Sequence, residues 1–424
     1  MNAESRRLIL FVDDQPEVLG GLKRTLWAER SEWDLLFSKS CDEAVKVLED
    51  CTVDVVITDL QMPRADGVQL LEYLRSKHPD CVRIILSGST APEMVLRSVG
   101  LAHQFLAKPC TPESLKATIQ RALFVKNLLD SNPGLQALVG RIRTLPAVPS
   151  LHMQVARELQ NEEPSLQRVG EIISQDPGMA AKILQLVNSA FFGLPKQIDD
   201  VTRAVCLLGL DVTRALVLSV EIFSQFEEAG LGGVAGTALW HHSLACAQLA
   251  RRLAEQEWPR NRELHERAYT TGLLHDIGKL ILGAYDPNEY RIVVAQAKTE
   301  RISINAAEER RWGTGHPAIG AFLLGLWGLP LDLVETIRWH HDPESAPDKE
   351  GRDLILLVHA SDALAAEFGY QSGNPVAVVS EVFPAQEDGT QAELQINRWR
   401  KFAKELFEVS TADGEKALAE DQRS

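Results

Sequence analysis

Val53-Asp-Val-Val-Ile-Thr-Asp-Leu-Gln-Met-Pro63 is a mostly apolar, β-branched run that leads into Thr58-Asp59 and then turns. Such a run reads as a buried parallel strand that delivers one carboxylate, Asp59, to the loop at its C-terminal end. A second apolar run, Leu8–Val12, ends in the pair Asp13-Asp14, so three carboxylates can meet at one sheet edge. Further runs at Leu35–Ser38, Arg83–Ser87 and His103–Ala107 alternate with amphipathic stretches up to about Val125. Strands spaced by helical patterns imply βαβ units, so residues 1–125 are expected to form an α/β doubly wound five-stranded parallel sheet. Ligands of such sheets sit beyond the carboxyl ends of the strands, where strand order reverses. Asp13, Asp14, Asp59, Ser87 and Lys108 all fall at such ends.

The residue types define a chemistry. Clustered carboxylates without thiolate or imidazole suit a hard cation such as Mg²⁺. A carboxylate can attack a phosphoryl group while the metal and a lysine neutralise the transferring oxygens. Ser87 then offers a small hydroxyl to the new phosphoryl oxygen. Taken singly, each acid would read as a turn or N-cap residue; independent caps would not fall on successive strand ends.

Residues 6–125 resemble a response-regulator receiver domain. Asp13-Asp14, Asp59, Met62-Pro63, Ser87-Gly88 and Lys108-Pro109 match the family motif in order and spacing. The resemblance implies that Asp59 is the phosphoacceptor and that Asp14 and Asp59, with Asp13 and the carbonyl of Gln61, hold Mg²⁺. It makes Ser87 the switch hydroxyl, Phe105 the switch aromatic and Lys108 the phosphate partner. Gln15, where an acid is common in the family, is a departure expected to tune rates.

The chain has 424 residues, 45% of them hydrophobic, with a net charge of -15, which predicts two or three folded domains. That acidity argues against sequence-independent binding to nucleic acid or to an anionic membrane. Six scattered cysteines (Cys41, Cys51, Cys81, Cys110, Cys206, Cys246) form no Cys-x-x-Cys pair and read as reduced thiols. No signal-peptide pattern and no bilayer-length apolar window is present, so the expected location is cytoplasmic.

Beyond the first domain, Asp130-Ser131-Asn132-Pro133-Gly134 interrupts a helical run that then resumes; residues 126–143 are expected to be a helical linker. From Leu145 to about Asp342 the pattern is helical. Ser165–Ser174, Met179–Asn188, Val201–Leu208, Asp211–Phe226 and Ala238–Glu257 are the expected helices, and Asn188–Pro195 an expected break. Gly272-Leu-Leu-His-Asp-Ile-Gly-Lys-Leu280 then places an adjacent His275-Asp276 on a helix, where each can reach a separate metal or one can bridge. Further ligands could come from His241 or His242, His316 at a helix start, His340-His341 at a helix end, and Asp362. Such donors are compatible with Zn, Fe or Mn; a lone histidine on a helix is also often a capped or hydrogen-bonded core residue.

Residues 144–345 resemble an HDOD domain, the all-α module related to HD-type metal phosphohydrolases. The motifs are Ile173–Pro177, Val187–Gly193, Leu207–Leu210, Trp240–Ser243, Leu273–Lys279 and Trp327–Pro330. The resemblance implies a regulatory output module, with catalysis the exception. It also implies that His242, His275, Asp276, His316, His340, His341 and Asp362 stand where an HD metallohydrolase places its ligands, and Lys279 where it places a phosphate-binding lysine. After His341 the chain reads Asp-Pro-Glu-Ser-Ala-Pro, not the Gly-Tyr-Pro of the cyclic-di-GMP phosphodiesterases, which counts against that substrate.

Residues 346–424 complete the chain as an extension, with helices expected at Asp353–Glu367 and Ala392–Val409 and a polar tail. The expected function is two-component signalling: a histidine kinase or phosphotransfer protein phosphorylates Asp59, and the HDOD module acts on other signalling proteins. A metal-dependent phosphohydrolase is the alternative output. A DNA-binding output is disfavoured by the acidity and by the lack of a basic helix-turn-helix. A homodimer is compatible with the sequence.

Overall fold

The computed structural model describes residues 6–62, 67–87, 101–141, 154–155, 157–158, 164–174, 201–209, 212–213, 217, 236–326, 329–347, 352–370 and 395–407. The expected helix Met179–Asn188, the break at Asn188–Pro195 and most of Asp211–Phe226 lie outside them. The chain divides into two compact units, residues 1–150 with 322–331, and residues 151–321 with 332–424.

In the first unit, strands β1 (Arg7–Val12), β2 (Trp33–Ser38), β3 (Val55–Thr58), β4 (Val82–Ser87) and β5 (Gln104–Ala107) form a parallel sheet of order β2-β1-β3-β4-β5. All four residues of β3 are buried, as a central strand covered on both faces requires. Strand order reverses between β1 and β3, whose last residues Val12 and Thr58 are register partners. Asp13 and Asp59 are the next residues along, so the switch point holds both acids. Helices α1 (Pro16–Thr25), α2 (Cys41–Asp50), α3 (Gly67–Lys77) and α4 (Pro112–Asp130) accompany the sheet. Leu10, Val12 and Val56 pack against Ala44, Leu48, Leu70 and Leu74. Ser40 and Thr111 cap α2 and α4 by accepting from Glu43 N–H and Ser114 N–H.

Helix α4 runs past the expected boundary at residue 125, and α5 (Pro133–Arg141) starts after Asn132, whose side chain accepts from Leu135 N–H at 2.9 Å. The turn formers thus break one helix from the next, and the boundary at 125 falls inside α4. Arg7 fixes the end of α4: its Nη1 lies 2.8 Å from Asp54 and 2.7 Å from Asp130.

His103, just before β5, is buried against Arg83. The Arg83 N–H donates to its Nδ1 at 3.1 Å, and Arg83 Nη2 lies 2.6 Å from its Nε2. Protonating the ring would set N–H against N–H on both sides. Burial first, and the Arg83 charge second, hold its pKa well below the usual 6.5. A histidine whose folded pKa is depressed contributes stability that is fully present above its unfolded value and is lost as pH falls towards the folded one. The receiver-side fold is therefore expected to lose up to about 1.4 kcal/mol per pH unit below roughly 6.5 from this site. Urea unfolding of wild type and His103→Gln across pH 5 to 8 checks this, the variant having the shallower acid slope.

The second unit contains α6 (Leu166–Ser174), α7 (Val201–Leu208), α8 (Gly236–Glu257), α9 (Arg262–Leu274), α10 (Ile277–Tyr285), α11 (Pro287–Glu300), α12 (Ile304–Trp312), the first part of α13 (His316–Leu326), α14 (Leu331–Trp339) from its second residue, and α15 (Arg352–Glu367). A further helix spans 395–407. Helices α8 and α9 approach closely at Gly272, where a Cβ would stand 2.9 Å from Ala247 Cα. Ile396, Trp399 and Phe407 of the last helix share a core with Leu249, Leu253, Leu357 and Leu364, so its apolar stripe packs within the helical unit. His275-Asp276 is not on one helix, as the sequence pattern predicts, but at the junction of α9 and α10. Helix α10 passes so near the start of α13 that a Cβ on Gly278 would lie 2.1 Å from His316 O; turning the chain at Asp276 gives that approach.

Candidate phosphoacceptor and metal centres

At the sheet edge Asp13 and Asp59 are 2% and 5% exposed. Lys108, delivered by β5 and followed by a cis peptide bond to Pro109, places Nζ 2.5 Å from Asp13 Oδ2 and 2.6 Å from Asp59 Oδ2. Burial is the largest influence on the Lys108 pKa and works to lower it, yet the bonds to Asp13 and Asp59 outweigh it and the net shift is upward. The other oxygens are held by backbone: Gln15 N–H donates to Asp13 Oδ1 at 2.9 Å and Gln61 N–H to Asp59 Oδ1 at 3.1 Å. Asp14 Oδ1 is buried and accepts no hydrogen bond from the described residues, as befits an oxygen that faces a cation. Gly67 lies against this loop, its would-be Cβ 2.1 Å from Asp59 O. Ser87 ends β4 as the register partner of Ala107, and Phe105 is in β5; their side chains, and Pro63 and Gly88, are outside the described residues.

The helical unit gathers all seven expected donors. His242, not the exposed His241, faces inward from α8. Two groups form, His242, Cys246, His275 and Asp362, and Asp276, His316, His340 and His341, each with donor atoms within 4.8 Å of one another. Asp276 reaches both. Its Oδ2 lies 3.4 Å from His275 Nε2 and 3.6 Å from His242 Nε2, while its Oδ1 lies 3.2 Å from His316 Nε2 and 3.9 Å from His340 Nε2. The junction geometry permits this, because a carboxylate between two helices is free to face two walls. Lys279 Nζ, one turn on, lies 2.5 Å from Asp276 Oδ2.

Hydrogen bonds on the far side of the rings orient them. Nδ1 of His242, His275 and His340 lies 2.7–2.8 Å from the carbonyls of Tyr370, Gly272 and Ile337, and Nδ1 of His316 lies 2.7 Å from Glu308 Oε2. A ring that donates through Nδ1 presents a bare Nε2. Yet His242 Nε2 is 3.3 Å from His275 Nε2 and 3.0 Å from Asp362 Oδ1, and His316 Nε2 is 3.1 Å from His341 Nε2. Acceptors facing acceptors at such distances call for cationic charge between them. His340 Nε2 is likewise buried and makes no hydrogen bond among the described residues.

In the metal-free chain, protons supply that charge at two of the rings. Burial works to lower His242 and His275, but His242's neighbours Cys246 and Asp362, and His275's neighbours Asp276 and Asp362, raise both to about 10. Burial works to raise Asp276 and Asp362; for Asp276 it is outweighed by His275 and Lys279, and for Asp362 by His242 and His275, so both fall well below the carboxylate range. Burial is the largest influence on both His340 and His341, taking His340 well below its usual value and His341 to about 3, so both remain in the neutral, ligand form.

Glu308 is a functional residue that the sequence does not advertise. It sits in Glu308-Glu309-Arg310-Arg311, which reads as a solvated charged run, yet it is fully buried. Its Oε2 accepts from His316 N–H at 2.7 Å as well as facing His316 Nδ1, and its Oε1 accepts from Tyr290 OH at 3.0 Å. Glu308→Gln keeps the shape but loses an acceptor for His316. It is expected to weaken metal binding about 10- to 100-fold, read by competition with a chromophoric chelator. Cys246, four residues after His242, is the other such residue; His-x-x-x-Cys on a helix was the available signal.

Comparison with known proteins adds the family context. The family model for the response regulator receiver domain matches residues 9–120, and that for the HDOD domain matches residues 145–343. An uncharacterized protein of Treponema pallidum is 30% identical over 273 residues, covering 63% of this chain and 49% of that one. The hydrogenase transcriptional regulatory protein HoxA of Cupriavidus necator is 33% identical over 128 residues, 30% of this chain and 26% of that protein. The chain thus spans about half or less of the length of these curated relatives. Among solved structures, an HDOD domain protein with unknown function from Geobacter sulfurreducens is 25% identical, with a TM-score of 0.48, covering 68% of this chain and 98% of that one.

Proposed function

We propose, for a chain that joins a response regulator receiver domain to an HDOD domain, that phosphorylation of Asp59 by a histidine kinase or phosphotransfer protein controls a metal-loaded HD centre in the output domain. On the input side an Asp59 oxygen attacks the phosphorus of phosphohistidine. The oxygen–phosphorus bond forms as the phosphorus–nitrogen bond breaks, and the departing imidazole takes up a proton. Lys108 balances charge on the transferring oxygens. Asp14, Asp59 and the Gln61 carbonyl would hold Mg²⁺, which supplies further charge neutralisation; the bare Asp14 oxygen fits that role. Ser87 and Phe105 are the residues that would respond.

On the output side, the observation that carries the reading is Asp276, whose two oxygens each face a separate ring of imidazoles. Donors of this kind suit Zn, Fe or Mn. Asp276, with His242 and His275 on one side and His316 and His340 on the other, would hold such ions, which would supply charge stabilisation for phosphoester hydrolysis. Lys279, fully buried beside Asp276, is placed to offer positive charge to a phosphate. Hydrolysis of a phosphoester is therefore the output favoured by this geometry. A non-catalytic output acting through protein contact is the second reading, favoured by one observation: four of the ligand histidines are completely buried, and His341 alone among the five has an appreciably exposed side chain, 21%.

Metal analysis of the full chain purified without chelator, beside His275→Ala, tests the proposal. Stoichiometric transition metal that is lost in the variant is expected, with turnover of an activated phosphodiester by wild type. Folded wild-type protein free of transition metal would overturn the metal-centre reading and leave the interaction module. Metal without turnover would retire the hydrolase.

A further inference from the structure

We infer that Cys246 is a metal ligand, so that one half of the centre is a thiolate-containing site suited to zinc. The inference rests on the metal-centre reading above and specifies the donor set and ion class of one of its two halves. Four atoms converge there: His242 Nε2, His275 Nε2, Asp362 Oδ1 and Cys246 Sγ. All four residues are buried.

The distances fit donors gathered on one ion. Zinc binds nitrogen and oxygen at about 2.0–2.2 Å and sulfur at about 2.3 Å, which puts tetrahedral ligand atoms about 3.3–3.6 Å from one another. Here His242 Nε2 lies 3.3 Å from His275 Nε2, 3.0 Å from Asp362 Oδ1 and 3.5 Å from Cys246 Sγ, and His275 Nε2 lies 3.8 Å from Asp362 Oδ1. These four separations bracket the ideal edges, and Asp276 Oδ2, 3.6 Å from His242 Nε2 and 3.4 Å from His275 Nε2, stands beside them as the donor shared with the other half.

An independent observation points into the same space. Asp362 Oδ1 is buried without a hydrogen bond among the described residues; it lies 3.0 Å from Nε2 of His242, the ring whose Nδ1 faces the Tyr370 carbonyl. The thiol also donates to the Ser361 carbonyl at 3.7 Å. Helix α8 supplies both His242 and Cys246 at a spacing of four, which puts them on one face.

Binding here replaces a thiol proton: the sulfur–hydrogen bond breaks, the proton leaves to solvent and the sulfur pair binds the ion, with no change of oxidation state. The consequence is selectivity. A thiolate favours zinc over manganese, whereas the other half, built from imidazoles and a carboxylate, does not discriminate by softness. The two halves therefore load differently.

Cobalt(II) titration of the metal-free full chain, followed by absorption, is the test. Expected is a near-ultraviolet sulfur-to-cobalt charge-transfer band that saturates with binding and is absent in Cys246→Ser, together with zinc affinity lowered about tenfold or more in the variant and manganese affinity little changed. Zinc-edge X-ray absorption of wild type is the second measurement, since it needs no variant to fold; it is expected to show a sulfur shell near about 2.3 Å. Cobalt bound without the band, or a band that survives in Cys246→Ser, overturns the cysteine assignment and leaves the metal centre standing. A chain that binds no cobalt overturns both.

Discussion

Asp59→Asn is expected to abolish phosphate uptake from an acyl-phosphate donor, measured by intact mass, while leaving the fold in place. The loss is chemical. A carboxylate oxygen that attacks phosphorus is replaced by an amide, a far poorer nucleophile, and the drop should be at least about 10³-fold. The fold should hold because the Asn carbonyl can keep one of the two bonds that Asp59 accepts, from Gln61 N–H at Oδ1 or from Lys108 Nζ at Oδ2. Lys108 also retains Asp13 at 2.5 Å. Removing one of the clustered acids relieves like-charge repulsion, so the variant should unfold within about 1 kcal/mol of wild type. Phosphorylation that persists in Asp59→Asn would move the phosphoacceptor elsewhere. In the wild type the phosphoryl group adds about one unit of negative charge beside Asp13 and Asp14, and Lys108 must redistribute its bonds. Near-complete switching of an output takes a differential of roughly 5.5 kcal/mol, so a graded response to Asp59 phosphorylation is expected.

The receiver-side site was legible because its chemistry is tied to strand ends. Period and composition locate a strand to within two residues, as at Val55–Thr58 and Val82–Ser87, and a parallel sheet then assembles the loop residues without further information. The helical site was legible only as an inventory. His242, His275, Asp276, His316, His340, His341 and Asp362 are read off as donor types, but which oxygen faces which ring depends on a break between α9 and α10 that helical periodicity does not announce, since the residues around His275-Asp276 from Gly272 to Leu280 are mostly apolar. Glu308 and Cys246 were missed for a related reason. Each matches its local environment in sequence, a charged helix and an alanine-rich one, and only tertiary packing turns it inward.

Asp276→Asn is expected to strip transition metal from both halves of the helical site at once, where Asp362→Asn should weaken mainly the half that holds His242, its reach to the other being His341 Nδ1 at 3.7 Å. Asp276 lies within 3.6 Å of His242 and His275 through one oxygen and 3.2 Å from His316 through the other, whereas Asp362 lies 3.0 Å from His242 and 3.8 Å from His275. Any phosphoester turnover should fall by about 10³-fold or more, because a clamp on attacking and leaving oxygens needs both ions. Stability complicates the reading. Lys279 is buried with Nζ 2.5 Å from Asp276, and deleting one partner of a buried ion pair costs about 3–5 kcal/mol. Asp276→Asn/Lys279→Met removes the stranded charge with its partner and should recover most of that loss in urea unfolding without recovering metal. Recovery of stability with metal still absent assigns Asp276 to the ions; transition metal retained in the double variant would show that the two rings of imidazoles bind without a shared carboxylate.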